Sequence, residues 1–265
     1  MPICKLIEIF RKWDEIVYTN ARLGLLLGLT GNLRKSIEKL EETIELAKDH
    51  GILTFEAMAF GYLGSVQFWY GQWQEAIDNC SMCIEISKKL DNSLPISWSS
   101  LFKGAAIFNS GRQDEGLRLM RKAIQIIERT DSVLGLRFTY SLYAECLAVR
   151  GDNLEAESAN QKAMALNQSG QKWGEVISCR TLALLAATES SQDWCQVDSH
   201  MMRSINLAKE KKALPELVIS LSRYADLFER KGDKDLAESY WNQARDLAKQ
   251  IGCQIFNRLD SQADI

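Results

Sequence analysis

The stretches Gly71-Gln72-Trp73-Gln74-Glu75-Ala76 and Gly151-Asp152-Asn153-Leu154-Glu155-Ala156 are two copies of one pattern, in which alanine follows glycine after five residues. The same glycine recurs at a spacing of 40 residues, at Gly31, Gly71, Gly111 and Gly151. A fifth copy is displaced by one residue, to Gln192-Asp193-Trp194, and a sixth begins at Gly232. Six units of about 40 residues therefore account for nearly the whole chain, a period typical of helical repeats.

Other positions keep the same register relative to the glycine. Small residues dominate the fifth position after it: Ser36, Ala76, Gly116, Ala156, Val197 and Ala237. Small residues also fill most of the twelfth position: Thr43, Cys83, Ala123, Ala163, Ser204 and Ala244. The fifteenth position is always aliphatic. Small residues at fixed points let paired helices approach closely, and aliphatic residues fill the seam between them.

Each unit is therefore predicted to consist of helix A, a tight turn, helix B and a short polar connector. The glycine lies just after helix A, where a left-handed residue ends a helix without a steric penalty. The predicted A helices are 14–29, 54–69, 94–109, 134–149, 175–190 and 214–230. The predicted B helices are 33–48, 73–89, 113–129, 153–167, 193–209 and 234–250. The expected fold is an all-α superhelix, a solenoid of six helix-turn-helix repeats that forms one domain over 1–265.

This pattern resembles the tetratricopeptide repeat (TPR) family. The resemblance rests on the turn Gly-Asp/Gln-x-x-Glu-Ala and on the pairs Leu23-Gly24 and Leu63-Gly64 of helix A. The usual TPR period is 34 residues with a proline closing helix B, whereas this chain has a period of 40 and lacks that proline. It is similar to the long variant in the C-terminal arrays of maltose-activator-type transcription regulators and class III adenylate cyclases. The segment 173–237 looks most similar to those arrays.

Composition excludes several classes of protein. Hydrophobic residues make up 46% of the chain, charged residues 25%, and the net charge is −3. These values are ordinary for a globular domain and give no basic footprint for nucleic acid. No apolar run is long enough for a membrane helix, and the N-terminus lacks the features of a secretory signal. Seven scattered cysteines indicate free thiols in a reducing compartment, so we expect a cytoplasmic protein.

The two ends of the chain lie outside the six predicted repeats. Residues Ile3, Leu6, Ile7 and Phe10 form an apolar stripe at helical spacing. Residues 1–13 are therefore either the end of a helix B whose beginning is absent, or a capping helix folded onto the first repeat. The first alternative implies a fragment of a longer protein or a homo-oligomer that covers this edge. Repeats occupy 14–250, and 251–265 forms a C-terminal capping segment with a short helix at 253–260.

Catalytic and metal-binding patterns are scarce. The chain has only two histidines, His50 and His200, and no phosphate-binding glycine loop or nucleophile elbow. The pair Cys80 and Cys83 lies inside a predicted helix B, in columns that other repeats fill with core residues, so it is interpreted as packing and not as a redox or metal site. We therefore expect no enzyme activity, no metal and no cofactor.

The TPR resemblance implies that helix A lines a concave binding groove. The residues at groove positions are mostly aromatic in repeats two to four, which favours a peptide or protein partner. The groove candidates are Tyr18, Tyr62, Phe68, Trp98, Phe102, Phe108, Phe138 and Glu145. An interaction module is therefore the first hypothesis, and the alternative is the ligand-sensing region of a larger bacterial signalling protein. Aromatic residues at helical spacing are also common core residues, so part of this set is expected in packing between repeats.

Overall fold

A computed structural model of the chain describes residues 3–130, 132–166, 173–188 and 193–254. It describes the side chains of these residues apart from 3–11, 133, 134 and 173. This described part forms twelve α-helices and no strand. The A helices are α1 (Ile3–Leu29), α3 (Leu53–Trp69), α5 (Ser93–Asn109), α7 (Val133–Arg150), α9 (Trp173–Ala186) and α11 (Leu214–Lys231). The B helices are α2 (Leu33–Asp49), α4 (Trp73–Lys89), α6 (Gln113–Ile127), α8 (Asn153–Ala165), α10 (Trp194–Glu210) and α12 (Lys234–Ile251).

The turn glycines have the backbone conformation that the repeat predicts. The φ angles are +91° at Gly31, +76° at Gly71, +95° at Gly111, +96° at Gly151 and +85° at Gly232. Because this left-handed region is costly for residues with a Cβ atom, glycine ends helix A and turns the chain toward helix B. The predicted all-α repeat architecture is confirmed.

The N-terminal end of the first repeat differs from the sequence-based description. Helix α1 runs without a break from Ile3 to Leu29, so residues 3–13 extend helix A of the first repeat and do not form a separate helix. No glycine or proline interrupts this stretch, which explains the continuity. At the other end α12 stops at Ile251, and Gly252 follows in the left-handed conformation. The helix expected at 253–260 lies almost entirely outside the described residues.

Helices A and B of a repeat touch through their small residues. A Cβ atom added to Gly116 on α6 would lie 2.5 Å from the carbonyl oxygen of Gly104 on α5 and 2.7 Å from the amide nitrogen of Phe108. One added to Gly64 on α3 would lie 2.5 Å from Cys80 Sγ. Where Ser36 stands in the small column, its hydroxyl donates a hydrogen bond of 2.7 Å to the carbonyl of Gly24. The small column therefore sets the distance between the two helices.

The solenoid curves until its last repeat meets its first two. The Gln254 amide donates a 2.8 Å hydrogen bond to the carbonyl of Tyr70, just after α3. The Tyr70 hydroxyl in turn donates to the carbonyl of Gly28 on α1 at 2.9 Å. A Cβ atom on Gly31 would lie 2.6 Å from Leu214 Cδ1 at the start of α11. The A helices consequently face a narrow interior instead of an open arc.

Replacing Gly116 with alanine tests the close approach of α5 and α6. Gly→Ala in a helix normally stabilises by about 0.5–1 kcal/mol. Here the added methyl group meets backbone atoms that cannot rotate away, so we expect a loss of about 1–3 kcal/mol in the free energy of unfolding. Chemical denaturation followed by circular dichroism measures it. In the control Gly174→Ala, the nearest neighbours are side-chain atoms at 3.1–3.5 Å, and the loss should be smaller. Stabilisation by Gly116→Ala would contradict the packing described.

Candidate functional site

One cavity of the described part lies between the A helices of the first four repeats. Its volume is about 680 Å³. Helix α1 contributes Arg22, Leu25 and Leu29, and α3 contributes Phe55, Met58, Tyr62 and Trp69. Helix α5 contributes Leu94, Pro95, Trp98 and Ser99, and α7 contributes Phe138 and Thr139. We call this space the A-helix cavity. Its size falls within the range of ligand pockets, and most of its wall is apolar or aromatic.

An aromatic cluster forms the inner wall of this cavity. The Trp98 and Phe138 rings are stacked with centroids 5.6 Å apart. Beneath them Phe102 is fully buried, with its ring centroid 4.9 Å from Trp98 and 5.1 Å from Trp69. The Trp98 indole N–H donates to Ser65 Oγ at 2.7 Å, which fixes the ring. Such mutual ring contacts hold the wall in one shape, so a ligand would meet a preformed surface.

The cavity wall also carries polar side chains: Arg22, Thr54, Tyr62, Asn92, Ser99, Ser132 and Thr139. Ser99 is fully buried, and its hydroxyl makes no hydrogen bond of ordinary geometry. It lies where α3 and α5 come close, since a Cβ atom on Gly61 would be 2.9 Å from Ser99 Oγ and 3.1 Å from Cys83 Sγ. Arg22 is the one charged residue among those that line the cavity. The cavity therefore offers a mostly apolar interior with neutral polar groups and, among its lining residues, a single positive charge.

A second, smaller cavity of about 260 Å³ is lined by the A helices from α3 to α11 and by residues of the B helices α4, α6 and α12. Phe68, Phe108, Leu142 and Trp241 provide its apolar wall. Its charged lining residues are Glu145, Arg180, Glu216, Arg223 and Asp226. No residue lines both cavities, and the cluster around Phe102 includes Trp69 of the first cavity and Phe68 of the second. The rings that contact Phe102 thus contribute to the walls of both cavities.

A buried ion network joins three A helices beside the second cavity. Arg180 on α9 donates from Nε to Glu145 Oε1 at 2.7 Å and from Nη2 to Glu145 Oε2 at 2.9 Å. Its Nη1 donates to Glu216 Oε2 on α11 at 2.6 Å. The Arg180 side chain is only 1% exposed. Since an isolated buried charge is expensive, the three residues hold α7, α9 and α11 in one arrangement.

Burial perturbs the charged groups of this network. Burial alone would lower the pKa of Arg180, but the Glu145 and Glu216 carboxylates raise it above its usual value. Burial raises the pKa of Glu216, and Arg180 only partly opposes that shift. A raised carboxyl pKa means that the folded protein binds the proton more tightly than the unfolded chain does. Protonation of Glu216 at low pH therefore stabilises the folded protein. This contribution to the free energy of unfolding is lost as the pH rises through the pKa of Glu216 in the folded protein.

The structure divides the eight groove candidates among different places. Tyr62, Trp98 and Phe138 line the A-helix cavity, and all three are half-buried. Tyr18 lies beside it on α1, where its hydroxyl accepts a 2.7 Å hydrogen bond from Arg22. Phe102 is buried in the aromatic cluster. Phe68, Phe108 and Glu145 line the second cavity, and Glu145 is engaged by Arg180.

Sequence reasoning missed Arg180 and Glu216. Arg180 stands twelve residues before the turn position of the fifth repeat. The same position in the other repeats holds Thr19, Ala59, Ser99, Thr139 and Ser220, all small or hydroxylated. An arginine at a position that other repeats fill with small residues therefore indicates a buried partner for its charge. Glu216 stands in a column without a common residue type, which holds Glu15, Phe55, Pro95, Gly135 and Val176 in the other repeats, so the sequence contains no comparable signal for it.

The cysteine pair is confirmed as core. Cys80 and Cys83 are fully buried, and burial raises the pKa of both thiols, so the reactive thiolate is disfavoured. Within the described ranges no group of histidine, cysteine or acidic side chains could hold a metal ion. In the same part of the chain, none of the helices has the length and apolar character needed to cross a membrane.

Comparisons with known proteins agree with this architecture. No family model matches the sequence, and no curated protein matches it in sequence. Aspartyl phosphate phosphatase F from Bacillus subtilis has a similar structure, with a TM-score of 0.70, 12% identity, and coverage of 88% of this chain and 60% of that one. This chain thus spans less than two thirds of the phosphatase. A Rap protein complexed with Competence and Sporulation Factor gives a TM-score of 0.66, 11% identity, and coverage of 89% and 75%.

A third similar structure carries the repeat in its description. The nearly identical TPR-like repeats of a kinesin light chain from Podosopora anserina give a TM-score of 0.51, 15% identity, and coverage of 74% of this chain and 96% of that one. The chain has a TPR-like helical repeat fold. The comparisons thus support the TPR resemblance at the level of the fold, and the long variant of maltose-activator-type regulators and cyclases stays a prediction.

Replacing Arg180 with methionine tests the buried network of the TPR-like array. The change leaves two buried carboxylates without their cation, so we expect a loss of about 3–5 kcal/mol in the free energy of unfolding. The loss should shrink at lower pH, where the carboxylates accept protons. Urea denaturation at several pH values measures both effects.

Two further variants control this prediction. The triple variant Glu145→Gln, Arg180→Met, Glu216→Gln removes the stranded charges and should regain most of the lost stability. Arg34→Met breaks a surface pair with Glu38 in which Arg34 is 92% exposed, and should change stability by less than about 1 kcal/mol. Equal effects of Arg180→Met and Arg34→Met would refute the role assigned to the network.

Proposed function

We propose that the chain is a non-enzymatic interaction module that binds a peptide segment of a partner in the A-helix cavity. The observation that carries this proposal is the wall of stacked Trp98, Phe138 and Phe102 rings beside a cavity of about 680 Å³. Rigid aromatic residues in a concave, mostly apolar site are typical anchors for a partner's side chains. The neighbouring repeats contribute from four separate helices, so one short peptide can touch several of them at once.

The fold neighbours are compatible with this proposal. One of them, the Rap protein, was solved in complex with Competence and Sporulation Factor, so a TPR-like array of this shape is able to hold a bound factor. The 11% identity between this chain and the Rap protein supports a shared fold alone. The binding role proposed here therefore rests on the cavity of this chain. Among the described residues five cysteines are buried and no disulfide forms, which fits the reducing, cytoplasmic setting that the sequence predicts.

A second candidate is the sensing of a small molecule within a larger signalling protein. It is favoured by the closed curvature of the array, which leaves a cavity of small-ligand size and not a long open groove. The two candidate functions use the same cavity but differ in its ligand, a peptide segment in the first and a small molecule in the second. Thermal shift against a library of small apolar metabolites would favour this candidate if one compound raised the melting temperature while no peptide bound.

Replacing Leu94 with glutamate tests peptide binding in the cavity. Leu94 lines the cavity, is 47% exposed and is the second residue of α5, so a charge there spoils the apolar surface without entering the core. Peptides selected from a displayed random library by the wild-type chain are synthesised and measured by fluorescence anisotropy. We expect their affinity for Leu94→Glu to fall at least about tenfold.

Leu154→Glu is the matched control. Leu154 is likewise the second residue of its helix, α8, is 88% exposed and lines neither cavity. Both variants place an acid in a first helical turn, so their effects on helix stability are alike. The proposal fails if no peptide is selected, if Leu94→Glu binds as the wild type does, or if Leu154→Glu weakens binding equally.

A further inference from the structure

We infer that the partner segment is an apolar peptide carrying one carboxylate, which docks at Arg22 while its apolar side chains fill the A-helix cavity. This inference rests on the proposed function and adds the chemistry of its partner. Three features of the cavity carry it: the electrostatic isolation of Arg22, the hydroxyl groups around it, and the absence of acidic residues among the lining residues.

Arg22 has no carboxylate partner among the described residues. Its guanidinium donates to the neutral Tyr18 hydroxyl at 2.7 Å and lies 5.5 Å from the centre of that ring. Arg121 and Arg203, by contrast, are paired with Glu155 and Glu175. The charge of Arg22 is therefore uncompensated locally and available to an anion at the cavity edge.

Two phenols extend this donor group. Tyr62 lines the cavity and is close enough to Arg22 that the guanidinium opposes the rise in its pKa caused by burial. Its hydroxyl makes no hydrogen bond with any described residue. Because the Tyr18 hydroxyl accepts from Arg22, its own hydrogen is free to donate to a ligand. A guanidinium with two phenol donors, and with no acidic residue among the described lining residues, suits a carboxylate and disfavours a cationic ligand.

The apolar part of the ligand follows from the rest of the wall. From Arg22 the surface continues over Leu25, Met58 and Leu94 to the stacked rings of Trp98 and Phe138. A highly charged or polar segment would lose its hydration there without compensation. The carboxylate can belong to the chain terminus of the peptide or to an aspartate or glutamate side chain, and both sources present the same group to Arg22.

The test uses the peptides selected by the wild-type chain, resynthesised in matched forms. One form has a free C-terminal carboxylate and one a C-terminal amide. A third replaces each Asp or Glu by Asn or Gln. We expect one neutralised form to bind about tenfold more weakly than its parent, which identifies the source of the carboxylate. The difference should diminish at high salt, because Arg22 is exposed.

Variants of the chain assign the effect to Arg22. Arg22→Gln should abolish the difference between charged and neutral peptides, and Arg22→Lys should keep part of it. Arg34→Gln removes an exposed arginine of α2 away from both cavities and should leave the difference unchanged. The inference is overturned if neutral and charged peptides bind alike, or if Arg22→Gln preserves the difference. If Leu94→Glu still weakens peptide binding in that case, the proposed binding in the A-helix cavity stands, and only the recognition of a carboxylate by Arg22 is wrong.

Discussion

The distance between helices A and B within each repeat is the constraint on which the rest of the structure depends. It is set where backbones and small side chains touch, as at Gly104 and Gly116. Close pairs of this kind leave the large residues of helix A to pack against the next helix A and toward the interior. Because the small column recurs every 40 residues, the same contact repeats along the chain and generates a regular curvature.

The curvature of the array creates contacts between repeats that are distant in the sequence. It brings the end of α12 back to α3, where the Gln254 amide meets the Tyr70 carbonyl. It also concentrates α7, α9 and α11 around Arg180, which is compensated by one acid from each side. The aromatic cluster contributes rings to two cavities, a mostly apolar one with Arg22 as its charged lining residue and a smaller one beside the buried ion network. The first suits recognition of a partner, and the second maintains the geometry of the array.

Most of the fold could be predicted from the sequence because it depends on periodic information. The predicted start and end of α4, 73–89, coincide with the observed Trp73–Lys89, and the turn glycines have the predicted conformation. The continuity of α1 differs from the prediction, because the repeat pattern places the start of helix A at residue 14 although no helix-breaking residue lies there. A helix extends until a residue or a cap stops it, and none lies between Ile3 and Trp13.

The candidate site was predicted only in part. A position that recurs in every repeat shows which face of helix A a residue occupies, but not how deeply its side chain is buried. Trp98 and Phe138 share one column and both line the A-helix cavity, whereas Phe102, one turn further along α5, lies beneath them. Phe68 and Phe108 stand near the ends of their helices, and curvature turns that end toward the second cavity. Arg22 belongs to the same column as Tyr62 and Phe102, and the role proposed for it depends on the lack of an acidic partner among the described residues. Such an absence becomes visible only when distant repeats are placed side by side.

Fluorine NMR of the chain labelled with fluorotryptophan tests the central claim most directly, because the tryptophans sample different surfaces. Trp69 and Trp98 line the A-helix cavity, Trp73 and Trp241 line the second cavity, and Trp194 lines neither. On titration with a peptide selected by the chain, the account predicts that the resonances of Trp69 and Trp98 shift with saturation while those of Trp73, Trp241 and Trp194 stay in place. Shifts confined to Trp73 and Trp241, or a bound peptide that moves neither Trp69 nor Trp98, would contradict it.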